Sequence, residues 1–495
     1  MRFRLRLEWA LVTLGLGGCA VGPDYHHPPP PNVSLTPLPL PAATRPAGGV
    51  AQRFVTGGDI AGDWWTLYRS PALNALISGA LRDNPSLAAA QATLWQAEEN
   101  LRAAAGGFLP SLALSAGAQR DKPSAAGLAA FGGGGAADIP AYTLYNASLS
   151  VSYAPDEFGG QRRQIESLAA QSEYQRWQLE AAYLTLTANI VTAAVNEASL
   201  AGQIAATEAV IAAEERLLAI LTRQVSLGGA AAAQALQQQA VLAQQQAALP
   251  PLRAQLARAR DQLAAYAGQY PGAFQDQAFS LEDLALPAEI PVSLPSSIVA
   301  QRPDIAAAAA QLHEASANLG VADANLLPQI TLSAQLGHES LTTSTLFTPQ
   351  TLLWTLVAGL TQPLFEGGQL TAQRQAALAA LRAAGAQYQA TVIAAFQNVA
   401  DALAVLQEDA AALEAADLAR QAAARSLGVT EAQYRLGGQS FTAVLTAETS
   451  YENAVMAAVR ARAARLADTA ALYQALGGGW WHRRDVASAC CGVIP

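Results

Sequence analysis

Cys19 is the residue of this sequence whose neighbours most directly specify a reaction. Residues 1–18 carry Arg2, Arg4 and Arg6, then an apolar run from Trp9 to Leu16, then Gly17 and Gly18. A basic head, a short apolar middle and small residues before a processing point make an export signal, with Glu8 as an acidic guest in its head. The apolar part is too short to cross a bilayer. Leu16-Gly17-Gly18-Cys19 resembles a bacterial lipobox, whose cysteine becomes the acylated first residue of the processed chain. Ala20 follows, where an aspartate would signal retention in an inner membrane.

The other reactive side chains do not assemble into a site. Catalysis needs an acid, a base or a nucleophile held together in a shielded place, and His26, His27, His313, His338 and His482 are scattered along the chain. Cys490 and Cys491 are adjacent and far from Cys19, which gives neither separated disulfide pairs nor zinc-ligand spacing. Gly132 to Gly135 lie in a Gly/Ala-rich stretch between two strand patterns and read as a loop, not a phosphate cradle. Met1 and Met456 alone make no soft metal track. A net charge of -9 without a basic stripe gives nucleic acid nothing to bind. The residues therefore predict no enzyme, no metal and no cofactor.

The elements carry more information than the reactive groups. Charged residues are only 14% of the chain, and Ala, Gln and Leu fill its middle, as in long helices with close neighbours. Landmarks recur in order: Pro85 matches Pro303, Asn100-Leu101 matches Asn318-Leu319, and Leu109-Pro110 matches Leu327-Pro328 at a single offset. Further on, Pro155 and Gly159-Gly160-Gln161 match Pro363 and Gly367-Gly368-Gln369, and Leu227-Gly228-Gly229 matches Leu436-Gly437-Gly438. A duplicated unit of helix, two strands, very long helix, turn and helix accounts for all of them.

The strand patterns have period two. Tyr145, Ala147, Leu149, Val151 and Tyr153 alternate with Asn146, Ser148, Ser150 and Ser152, and Ile330, Leu332, Ala334 and Leu336 alternate with Gln329, Thr331, Ser333 and Gln335. Trp354, Leu356, Ala358 and Leu360, and the shorter set Leu112, Leu114 and Ala116, repeat the pattern. Each run approaches the roughly 9–11 residues that a tilted strand needs to cross a bilayer. Four strands cannot close a barrel and open edges are not tolerated in lipid, so several chains must share one. Two chains would give about eight strands and a filled interior, whereas three give about twelve and a lumen lined by the polar parity.

After each hairpin comes a helical pattern of roughly 67 residues, about 100 Å long at the standard rise. The organisation expected is a signal at 1–18, a lipid-anchored Pro-rich strap at 19–70 that is poorly packed from His26 to about Gly58, and a first repeat at 71–268. Within that repeat lie a hairpin at 109–154, a long helix at 160–226 and a returning helix at 230–268. A connection at 269–296 leads to a second repeat at 297–476, with hairpin 328–362, long helix 369–434 and returning helix 440–476, before a tail at 477–495. Pro250-Pro251 predicts a kink or break in the first returning helix only.

This order, with the motifs RPDI (Arg302 to Ile305), PLFEGG (Pro363 to Gly368) and YRLGGQSFTAVLTAE (Tyr434 to Glu448), resembles the TolC-like outer-membrane efflux family. The lipobox and AVGPDY (Ala20 to Tyr25) are similar to its lipoprotein branch, called NodT- or OprM-like, and the likeness runs from Cys19 to Leu476. The resemblance implies a mainly α fold with a transmembrane β-barrel part, a homotrimer sharing a twelve-stranded barrel in the outer membrane, and a helical tunnel through the periplasm. It implies a periplasmic adaptor and an inner-membrane RND-type pump as partners, with outer-membrane lipid around the barrel. It places the adaptor-contacting tips at Leu227, Gly228 and Gly229 and at Leu436, Gly437 and Gly438. Gate candidates are Tyr434, which matches a family tyrosine, Gln439, where an arginine can stand, and Ala443 and Thr446, where some members carry aspartates. Glu448 is the nearest acidic residue. The function implied is a passive efflux conduit; the same architecture also fits protein secretion or metal export. A coiled-coil scaffold is the contrasting class, and it would not need a lipid-facing parity.

Overall fold

The computed structural model describes residues 20–31, 33, 42–45, 51–122, 140–274, 278–292 and 295–483. The signal at 1–18, Cys19, Gly132 to Gly135, Cys490 and Cys491 lie outside the described residues. In chain order the elements are β1 (Arg53–Thr56), α1 (Pro71–Asp83), α2 (Pro85–Ala105), β2 (Ser111–Asp121), β3 (Tyr142–Tyr153), α3 (Gly160–Ser226) and α4 (Ala232–Tyr266). Then follow β4 (Glu289–Val292), α5 (Pro295–Gln301), α6 (Pro303–Ala324), β5 (Gln329–Ser340), β6 (Leu352–Thr361), α7 (Gln369–Arg435) and α8 (Phe441–Ala475). The duplication is visible in the lengths: α3 and α7 both have 67 residues, and α4 and α8 both have 35.

The chain divides into two compact units, and both draw on both repeats. The first holds Met1–His27, Trp95–Tyr174 and Ala309–Gln387. Its centre is a four-stranded antiparallel sheet in the order β2-β3-β5-β6. The register sets like against like: Leu114 opposes Leu149, Leu149 opposes Leu336, and Leu336 opposes Trp354. The alternate rows are mainly polar or small, as in Ser115 with Ser148 and Ser152 with Ser333, with Leu144, Leu353 and Val357 as apolar exceptions. A one-residue slip would exchange the two faces along the whole strand, so this matching is what fixes the register.

The second unit holds Pro28–Leu94, Gln175–Ala308 and Tyr388–Pro495. Ser70 caps α1 by accepting from the Leu73 amide, and Asn84 ends it. The Asn84 carboxamide oxygen then accepts from the Ser86 and Leu87 amides to start α2, while its nitrogen donates to the Tyr266 carbonyl at 2.8 Å. The buried positions of α7 within this unit, Tyr388, Val392, Ala395, Val399, Leu403, Leu406, Ala410 and Leu413, recur every three or four residues. That is the seam of a helix packed along a neighbour. By length and composition alone α7 also contains a window apolar enough to cross a membrane, with a mean hydropathy of 1.3, and 28% of that window is buried.

Two features depart from the sequence reading. The strap is not loosely packed throughout. Gln52 and Thr44 are buried against Arg465 of α8, which donates to the Gln52 side-chain oxygen at 3.3 Å and to the Thr44 hydroxyl at 3.1 Å. Gln52 in turn donates to Thr469 at 3.2 Å, and β1 pairs in parallel with β4. Just beyond, Trp64 stacks on Tyr473 at 5.2 Å and the Tyr68 hydroxyl donates to the Leu466 carbonyl at 2.8 Å. The second departure is α4, which runs unbroken through Pro250 and Pro251. Each proline removes one helical donor, but the carbonyls left over belong to Gln246 and Ala247, both exposed, where water satisfies them.

Candidate channel wall and helical turns

The sheet has one apolar face and one mainly polar face. Leu112, Leu114, Trp354, Leu356 and Leu360 all stand on the apolar face and are more than half exposed, Leu114 to 80%. On the other face Ser115 and Ser148 share a hydroxyl hydrogen bond at 2.9 Å and Ser150 donates to the Ala113 carbonyl at 3.4 Å. Small hydroxylated side chains that satisfy one another leave room beside them, which suits a water-filled side. β2 and β6 are the sheet edges, and among the described residues their outer backbone groups have no strand partner. Such edges in a membrane require pairing with another chain.

Below the sheet, the segment after Cys19 is held by its own unit. The Val21 amide donates to the Phe158 carbonyl at 3.0 Å, and Ala20 lies so close over Gly159 that a side chain at that glycine would collide with it. Arg163 of α3, 6% exposed, donates to the Val21 carbonyl at 3.0 Å, to Asp24 at 2.8 Å and to Glu166 at 2.7 Å. Asp24 is consequently held below the usual carboxylate range by the Arg163 hydrogen bond and charge. Tyr25 stacks on His313 at 4.3 Å, and His313 bonds Glu166 at 2.9 Å.

The two helical turns are built alike. Gly228 and Gly437 take φ of 75° and 78°, the left-handed region that other residues enter at a cost. The Gly229 amide donates to the Gln224 carbonyl at 2.8 Å, and the Gly438 amide to the Gln433 carbonyl at 2.8 Å, closing each helix with a Schellman-type bond. Leu227 and Leu436 point outward, 70% and 88% exposed. After the second turn Ser440 caps α8 by accepting from the Ala443 amide at 3.2 Å; Ala231 stands at the matching place and cannot cap.

Among the gate candidates, Tyr434 packs its ring on Phe441 at 5.8 Å, and Phe441 is buried. Gln439 is exposed, Ala443 is half-buried, and the Thr446 hydroxyl donates to the Thr442 carbonyl of its own helix at 2.9 Å. Glu448 is half-buried and faces Glu214 of α3.

A family model described as outer membrane efflux protein matches residues 76–269 and 294–478. The chain belongs to the outer membrane efflux protein family. It is 31% identical to the pyoverdine export outer membrane protein OpmQ of Pseudomonas aeruginosa, over 85% of this chain and 88% of that one. It is 26% identical to the cation efflux system protein CusC of Escherichia coli, over 95% and 97%. Its fold superposes on the outer-membrane channel OprN with a TM-score of 0.84 at 25% identity, covering 93% of this chain and all of that one. The protein is thus an outer-membrane efflux channel of the TolC-like fold, and its two-faced sheet is the membrane part. Sequence reasoning missed Glu214 as a partner of Glu448. A signal was available: Thr207, Glu214 and Leu221 recur at heptad spacing and all three are buried, so a carboxyl occupies a packing position.

Proposed function

We propose that this channel is the passive exit duct of a tripartite efflux system, assembled as a homotrimer whose twelve strands close one barrel. The observation that carries the proposal is the four-stranded sheet with one apolar face, one mainly polar face and two edges unpaired among the described residues. Three copies pair β2 of one with β6 of the next and leave a lumen, whereas two would fill it. A periplasmic adaptor would contact Leu227, Gly228 and Gly229 and Leu436, Gly437 and Gly438, and an RND-type inner-membrane pump would supply the energy. The chain itself would need no catalytic residue or cofactor. The cargo we favour is small organic molecules, given the likeness to a pyoverdine export protein; the likeness to a cation efflux protein makes metal export the second reading. Two repeats, 71–268 and 297–476, would each contribute one hairpin and one tip. Tyr434, Gln439, Ala443 and Thr446, close to the second turn, would narrow the tip without an aspartate ring.

Cys19 would carry the lipid, with Ala20 to Tyr25 seating it through Arg163 and His313. Cys19→Ala should abolish fatty-acid labelling, and a variant still labelled would refute the anchor. For the duct, full-length protein inserted into a planar bilayer should pass ions in discrete steps, and cells lacking it should accumulate the pump's substrates. Insertion of trimers that never conduct would refute the conduit.

A further inference from the structure

Glu214 of α3, Gln238 and Gln245 of α4, and Glu448 and Glu452 of α8 form an acidic cluster with Glu214 and Gln238 buried at its centre and Gln245, Glu448 and Glu452 half-buried around them. Glu214 is 1% exposed and Gln238 is fully buried. The Gln238 carboxamide donates to the Glu214 carboxyl and, at 3.4 Å, to the Glu214 carbonyl; Gln245 donates to Glu452 at 2.7 Å. Glu214 of α3 and Glu448 of α8 bring their carboxyls close enough to act on each other. One Glu448 oxygen and the Gln238 oxygen lie buried with no hydrogen-bond partner. An ionised carboxylate only accepts hydrogen bonds, so two of them cannot hold this contact unless a proton lies between them.

The charges acting on the pair from the surrounding helices are acidic: Glu431 of α7 and Glu452 of α8. Arg460 and Glu452 both line a cavity of about 490 Å³, but the Arg460 guanidinium donates to Gln203 at 3.1 Å. Arg253 of α4 is committed to Glu208 at 2.8 Å. We propose that Glu214 and Glu448 share one proton at neutral pH, and that this proton is a latch tying the long helix of the first repeat to the returning helix of the second. Burial and the neighbouring carboxylates raise Glu448 to about 8 and Glu452 to about 7, and burial raises Glu214 as well. Because these acids hold protons that the unfolded chain has already lost, the packing is tightest on the acid side and weakens as pH rises through about 8.

The latch sits close to the turns. Glu448 lies two helical turns into α8 and Glu214 three to four turns before the end of α3. Alkalinisation would then free the ends of α3 and α8 that lead into the turns at Leu227 and Leu436. This last step rests on reading those turns as the channel's tip, while the latch itself does not.

The experiment uses the full-length protein in lipid nanodiscs and planar bilayers, with Glu448→Gln and Glu214→Gln as variants that keep a neutral hydrogen-bonding group. Hydrogen-exchange protection of peptides from the ends of α3 and α8 should fall by about tenfold or more between about pH 6 and pH 9 in the native sequence. Either variant should stay protected across that range. A native profile that is flat, or a variant that keeps the full step, overturns the latch. Conductance should rise over the same pH interval in the native channel and stay flat in Glu448→Gln. A protection step without a conductance step keeps the latch and refutes the reading of these turns as the gate.

Discussion

Arginine placed on the apolar face of β3 should disable the barrel, while arginine one position away should not. Leu149 lies between Leu114 and Leu336 in the sheet and less than two residues from the middle of Tyr142–Tyr153. At about 3.4 Å per residue it is about 5 Å along the strand from the centre, nearer the bilayer midplane than Val151. Arginine on a lipid face costs about 2–4 kcal/mol at that depth and about 0–1 near the interface. At 1.4 kcal/mol per decade, Leu149→Arg should lower the folded-to-unfolded ratio about 30- to 700-fold. Ser150 is on the other face, between Ala113 and Gln335, and Ser150→Arg gives up one weak hydroxyl bond at 3.4 Å and keeps its charge in water. Refolding into phosphatidylcholine vesicles over a urea series, at one fixed protein concentration because association couples to stability, measures both. Equal losses for the two variants would refute the assignment of faces, and a reversed order would invert it.

Arg465→Met should cost about 1–3 kcal/mol, because it removes the donor to the buried Gln52 side-chain oxygen and Thr44 hydroxyl; protease cleavage within the strap is the readout. Gly437→Ala should cost about 1–2 kcal/mol at the second turn, seen as faster amide exchange at Gln433 to Ser440, whereas Gly438→Ala, without a positive φ, should cost less. Asp409 of α7 is raised to about 7 by burial and by the neighbouring Asp468 carboxyl, so it keeps a proton that the unfolded chain loses above its ordinary range near 3.8. Stability should therefore fall as pH climbs from about 4 to about 7. Asp409→Asn should flatten that slope and leave the protein more stable than the native sequence at about pH 8, as thermal unfolding at the two pH values would reveal.

The long helices, the hairpins and the turns were legible because each is written in a local signal. Period two over Tyr145 to Tyr153, glycine after Leu227 and Leu436, and proline after Asn84 are constraints that a chain obeys within a few residues. Pro250-Pro251 shows the limit of such signals, since whether a missing donor breaks a helix depends on which face its orphaned carbonyls present. The Pro-rich strap shows it again: nothing near Gln52 predicts its burial, because its partner is Arg465, more than four hundred residues away.

The sequence by itself determined the duplication, the two-faced strands, the need for shared closure and the chemistry expected at Cys19, all of which follow from spacing and side-chain type. Tertiary structure alone decided which carboxyls meet. Glu448 reads in isolation as a solvated acid near a turn, and Glu214 as one of seven glutamates along α3. Only the packing of α3 against α8 removes water from both and turns them toward each other, and it is desolvation with like-charge proximity that moves a glutamate from its ordinary range to one that titrates near neutrality.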